Sequence, residues 1–154
     1  MRYTYEFEFY PGEEYLLAVP FDFDGGTFGD GPKDTAEMAA DWLIETINDY
    51  LLQQKQVPMP TYGNQPEKNG LVALVSVDTS LESIKTVFAC DAAEMLGVTR
   101  ARVTQLLNKG LLEGYRKGRT TNITLDSIKA RLEDAPKAGR PVSARNNNRQ
   151  PVPT

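Results

Sequence analysis

The chain has 154 residues and a net charge of -4; it is 40% hydrophobic and 25% charged, the balance of a soluble globular protein with room for two small domains. It has no histidine, which excludes His-based acid/base chemistry, Ser-His-Asp and Cys-His nucleophiles and the usual zinc-hydrolase sites. Its single cysteine, Cys90, excludes an internal disulfide and fits a reducing, cytoplasmic setting.

Residues 2–10 alternate, with Tyr3, Tyr5, Phe7 and Phe9 on one face and Thr4, Glu6 and Glu8 on the other. That period predicts a half-buried strand, and it lacks the apolar block of a signal peptide. No apolar run is long enough to span a bilayer. Pro11-Gly12 signals a turn, and Tyr15, Leu17 and Val19 mark a second strand that closes an antiparallel hairpin. A short third strand is expected near Thr27–Gly29. A helix follows, with Asp34 or Thr35 as its cap and Glu37 completing a capping box. Ala36, Ala40, Leu43, Ile44, Ile47 and Leu51 form its apolar face, and it should stop near Gln54, ahead of Pro58 and Pro60. The valine-rich run Leu71 to Val77 predicts a more central strand, reached by a parallel crossover. The first domain, residues 1–80, is therefore expected to be β-β-β-α-β in an α+β protein.

Residues 81–85 read as a linker, residues 86–135 as a second domain and residues 136–154 as a disordered basic tail rich in proline and asparagine. The charge divides near the same boundary: residues 1–85 carry −10 and residues 86–154 carry +6. Two partners of opposite charge are the implication.

The most specific signal lies between Asp91 and Leu107. Ala93, Gly97 and Val103 stand at helix-turn-helix spacing: a small residue where helices cross, a glycine for a positive-φ turn, then a branched apolar residue. Met95, Leu96, Val98, Val103, Leu106 and Leu107 are expected to fill the inner surface. Thr99 can cap the second helix, which would expose Arg100, Arg102, Gln105 and Lys109. Arg suits guanine edges, Gln suits adenine, and Lys or Thr suits phosphate. Leu111 to Tyr115 and Asn122 to Thr124 read as two short strands around the basic loop Arg116, Lys117, Gly118 and Arg119, and Asp126 to Leu132 as a closing helix.

The pattern "AAEMLGVTRARVTQLLNKGLLEGYRKGR" resembles the winged helix-turn-helix domains of the MerR and excisionase families. The resemblance implies that Arg100, Arg102 and Gln105 enter the major groove of duplex DNA while Lys117 and Arg119 touch its backbone. It departs at Thr120-Thr121-Asn122, where those families often place an aromatic or basic residue. Gly139-Arg140-Pro141 matches the core of an AT-hook, on thin basic flanks.

Along the first domain, "RYTYEFEF", "YLLAVPFDFDGG", "GDGPKDTAEMAADWLIETINDYL" and "LVALVSVD" together resemble the HicB antitoxin family. That resemblance implies a degenerate RNase H-like fold without catalysis. It also implies binding of a small basic RNA-cleaving toxin, HicA, and repression of the operon through operator DNA. The DNA-binding module of this chain departs from the ribbon-helix-helix or other helix-turn-helix type more usual there. Independently, an acidic surface can steer and hold a cationic protein. The ridge Glu37, Asp41, Glu45 and Asp49 offers one such surface, the loop Asp22, Asp24 and Asp30 a second, and Glu6 with Glu8 a third. This antitoxin reading requires no cofactor and no metal. One helix-turn-helix reads a short site, so a homodimer or higher oligomer is expected on operator half-sites.

Two alternatives stand beside it. A metal-dependent RNase H-like nuclease would use Asp22, Asp24 and Glu6 or Glu8 as Mg²⁺ ligands. A stand-alone transcriptional regulator would use the first domain only for dimerisation or sensing.

Overall fold

A computed structural model describes residues 1–134; the predicted tail and its AT-hook-like tripeptide lie outside the described residues. The fold is α+β, with two separate hydrophobic cores.

The first core forms between a sheet and one long helix. β1 (Arg2–Pro11), β2 (Leu16–Pro20) and β3 (Thr27–Gly29) run in antiparallel succession, α1 (Pro32–Leu52) follows, and β4 (Leu71–Asp78) completes the sheet in the order β3-β2-β1-β4. The period-2 pattern of β1 sends Tyr5 and Phe7 into the core, where they join Ala18, Val75 and Val77 of the sheet and Ala39, Leu43 and Ile47 of α1. Phe23 enters from the loop after β2. Its ring stands edge-on to Tyr5 at 4.7 Å and to Trp42 at 6.2 Å. Trp42 packs against this core.

Four expectations need correction here. α1 is rotated from the predicted phase: Thr35 and Ala39 are buried and Ala36 is exposed. Thr35 can sit inside because its hydroxyl donates to the Gly31 carbonyl at 2.7 Å. The helix starts at Gly31-Pro32 without a side-chain cap. Asp34 instead turns back to accept the Asp30 amide at 2.9 Å.

β4 is neither central nor parallel. It pairs antiparallel with β1 and forms the edge of the sheet. The reason lies in the connection from Gln53 to Gly70, which lays its polar backbone over the face of β1 opposite α1. Tyr62 donates its hydroxyl to the Thr4 carbonyl, and amides further along the loop donate to Glu6 and Glu8. The chain thus reaches the far edge from the other side of the sheet.

The second core belongs to β5 (Thr86–Phe88), α2 (Ala89–Leu96), α3 (Arg100–Asn108), β6 (Gly114–Lys117), β7 (Thr120–Thr124) and α4 (Leu125–Asp134). Ala92, Val103, Leu106, Leu112, Ile123 and Ile128 fill it. The expected linker includes a 3-10 turn, Leu81–Ser83, and leads into β5, a strand the sequence reading missed. β5 makes the hairpin β6-β7 a three-stranded sheet of order β5-β7-β6. β6 begins later than expected, so Arg116 and Lys117 lie on a strand rather than in the turn.

Candidate nucleic-acid interface and acidic surfaces

α2 must end abruptly for α3 to cross it, and Gly97 makes that possible at φ 64° and ψ 35°. The amide of Val98 then donates to the Ala93 carbonyl at 3.0 Å, closing the turn. Thr99 starts α3 with its hydroxyl accepting the Arg102 amide at 3.2 Å. Val103 and Leu106 point inward, as the spacing predicts. Met95 and Val98 do not: both are exposed, because their positions fall on the solvent side of the α2–α3 turn.

The opposite side of α3 is open. Thr99, Arg100, Arg102, Gln105 and Lys109 are all exposed. The Arg102 guanidinium donates to the Gln105 side-chain carbonyl at 3.2 Å, so these two polar side chains lie side by side one turn apart. The Thr104 hydroxyl donates back to the Arg100 carbonyl at 3.3 Å and so turns its polar atom toward the helix.

The β6-β7 turn is tight. Gly118 has φ 63°, and Thr120 donates its hydroxyl to the Lys117 carbonyl at 3.0 Å. Arg116, Lys117 and Arg119 are exposed on this wing. Lys117 lies 3.7 Å from Glu82 of the 3-10 turn, an exposed pair of little energetic weight. The backbone, Ser80 and then Lys117 hold the Glu82 carboxyl below the usual glutamate range.

Charge on this domain is local. Residues 86–134 contain eight Lys/Arg and six Asp/Glu, but six of those eight cations fall between Arg100 and Arg119, where Glu113 is the only acid. A phosphate backbone responds to such a concentrated patch rather than to net charge.

The acidic candidates divide into two groups. Glu37, Asp41, Glu45 and Asp49 are exposed along α1 and form a ridge on its outer face. Glu37 meets Lys33 at 3.9 Å across one exposed turn. Asp49, at the other end, borders a depression shared with Leu107, Gly110 and Leu112. Asp24 and Asp30 are also exposed.

Asp22, Glu6 and Glu8 serve the fold instead. Asp22 accepts the Thr61 amide at 3.0 Å and the Thr61 hydroxyl at 2.7 Å. Glu6 accepts the amides of Gly63 and Asn64, both at 2.9 Å, which hold its carboxyl below the usual range. Glu8 is buried. Desolvation pushes its carboxyl up, but the amides of Glu67, Lys68 and Gly70 outweigh it and bring the carboxyl below the usual range. The Tyr5 phenol is pushed up to about 12 by burial and then by nearby Asp22. Of the carboxylates that the nuclease alternative needs as metal ligands, Asp22, Glu6 and Glu8 are thus engaged by backbone amides, while Asp24 is exposed. No three His, Cys, Asp or Glu side chains gather to hold a metal among the described residues.

One surface feature lies outside the candidates that the sequence marks. Tyr15 and Phe28 pack in a tilted pair with ring centres 4.8 Å apart, both exposed, beside Glu13 and Glu14. Aromatic faces next to carboxylates suit a cationic partner. The signal was available in the period of β2 and β3, since Leu17 and Phe28 pair on the face away from α1.

No helix among the described residues is long and apolar enough to cross a membrane. No family model matches the chain, and no curated protein matches it. Among solved structures, a chain from a toxin-antitoxin complex of Streptococcus pneumoniae aligns at 20% identity with a TM-score of 0.46. The alignment covers 71% of this chain and 99% of that one.

Proposed function

We propose that this chain is an antitoxin-type repressor. Its first domain binds a small basic HicA-like toxin, and its second domain holds operator DNA. One observation carries the reading: a pre-shaped basic surface on α3 and the wing, and an open acidic ridge on α1, are built on separate cores. Such opposed surfaces suit one polyanion and one cationic protein.

In this reading Arg100, Arg102 and Gln105 read bases, Thr99 and Lys109 hold phosphates at the ends of α3, and Arg116, Lys117 and Arg119 follow the backbone as a wing. Glu37, Asp41, Glu45 and Asp49, with Asp24 and Asp30, face the toxin. Asp22 is withdrawn from that group because Thr61 occupies its carboxylate. The protein acts by binding, without catalysis.

The test is coexpression with the small basic protein encoded beside it, followed by a promoter shift assay with and without that protein. Copurification that fails at high salt, together with retardation of the promoter duplex, is expected. A chain that neither retains the neighbouring protein nor shifts its own promoter at low ionic strength overturns the proposal. Promoter binding with no retained protein would favour the stand-alone regulator.

A further inference from the structure

We propose that β4 is a self-pairing strand, which joins two copies of this chain into one continuous antiparallel sheet centred on Leu74. β4 is an eight-residue edge whose main neighbours are β1 and α1. Its other side carries an open row of backbone donors and acceptors. Proteins usually blunt such edges with lysine, proline, a bulge or short length. From Leu71 to Val77 this edge has no charge and no proline. The opposite edge, β3, is only three residues long. Leu71 and Leu74 are 69% and 61% exposed on β4.

The register follows from side-chain alternation. Pairing with β1 sets Ala73, Val75 and Val77 opposite Phe7, Tyr5 and Tyr3 on the core face, and Val72, Leu74 and Ser76 opposite Glu8, Glu6 and Thr4 on the outer face. A two-fold axis normal to the sheet keeps faces matched only when it passes through a residue. Placed at Leu74, it sets Leu74 against Leu74 of the second copy, Ala73 against Val75, Val72 against Ser76 and Leu71 against Val77. Both exposed leucines then gain apolar partners. Placed one residue later, at Val75, the axis sets Asp78 opposite Val72 and leaves Leu71 opposite a threonine.

The occupant is a second copy rather than a cationic partner because this edge offers no carboxylate along its length. Asp78, at its end, is already held by Arg2 at 3.0 Å. Main-chain bonds supply the attraction, as in strand addition generally, and the leucines set the register. This dimer needs neither DNA nor toxin, so its failure would leave the proposed function standing.

The test measures the mass of the full chain by sedimentation equilibrium over a range of concentrations, without DNA. The wild type is expected to reach dimer mass. L74K and L74E, each alone, should lose it, since the axis sets like charges directly opposite. An equimolar mixture of L74K and L74E should regain it. Because residue 74 is exposed, circular dichroism of both variants should match the wild type. A monomeric wild type, a dimeric L74K, or a mixture that stays monomeric would each overturn the proposal.

Discussion

Glu8 accepts the backbone amide of Lys68 at 2.6 Å, and so fastens the loop before β4 to the middle of β1. The same carboxylate takes the amides of Glu67 at 2.9 Å and Gly70 at 3.1 Å. A neutral side chain cannot satisfy three converging N–H groups as a carboxylate does. Together with Glu6 and Asp22, Glu8 holds the connection against the sheet on its way to β4. Glu8→Ala should lower the Tm of the first domain by several degrees, read by thermal circular dichroism. An unchanged Tm would show that the loop is held by other means.

The same contacts make stability depend on acid. Glu6 and Glu8 both ionise more readily in the folded chain than the ordinary glutamate value of 4.5. A depressed folded pKa contributes stability that is complete above the unfolded value and is lost as pH falls through the folded one. The Tm should hold steady from neutral pH down to about 5 and fall below that. In the double variant Glu6→Gln with Glu8→Gln, the neutral-pH Tm should be lower and the acid decline shallower. Identical acid limbs in the two proteins would refute the assignment.

These carboxylates also mark what the sequence could and could not reveal. Local features were legible: Gly97 ends a helix and Thr99 starts one because each acts within a single turn. The existence of α1 was legible from its period, but its phase was not, since a buried Thr35 depends on its own bond to Gly31. The direction of β4 was hidden because it depends on Glu6, Glu8 and Asp22, charges that a sequence alone assigns to the surface. The exposure of Arg100, Arg102, Gln105 and Lys109 was legible, since the outer residues of α3 follow from helical period. The acidic candidates were divided by loop contacts that link residues far apart in the chain.

Gly97→Ala tests the hinge of the second domain. A Cβ there would meet nothing within 4 Å, so the cost is that of the left-handed backbone alone. Stability should drop by about 1–2 kcal/mol in urea titration, and Gly97→Asn should recover part of it. Thr99→Ala should cost about 1 kcal/mol through the lost cap on Arg102, while Thr99→Ser should cost less. A neutral Gly97→Ala would mean that the turn relaxes to another geometry.

Arg102 and Lys117 should separate base reading from backbone grip. Arg102→Ala removes a guanidinium already poised beside Gln105. It should cost about 1–3 kcal/mol on the promoter duplex and much less on random duplex. Lys117→Ala should weaken both duplexes alike and flatten the salt dependence of binding. Fluorescence anisotropy over a salt series distinguishes them. Equal losses on both duplexes for Arg102→Ala would assign that residue to phosphate instead.

The ridge on α1 can be tested without disturbing the fold, because Glu37, Asp41 and Glu45 are exposed and none of the three bonds to the sheet. Reversing them together to lysine should leave the Tm within a few degrees of the wild type and leave promoter affinity in place. Retention of the neighbouring basic protein on a column should be lost, since like charges now face each other across the interface. A single reversal at Asp41 should weaken retention less than the triple change and flatten its loss with salt. If the triple variant retains the basic protein fully, the ridge is merely solvated, and Glu13 and Glu14 beside the paired rings of Tyr15 and Phe28 become the next surface to reverse.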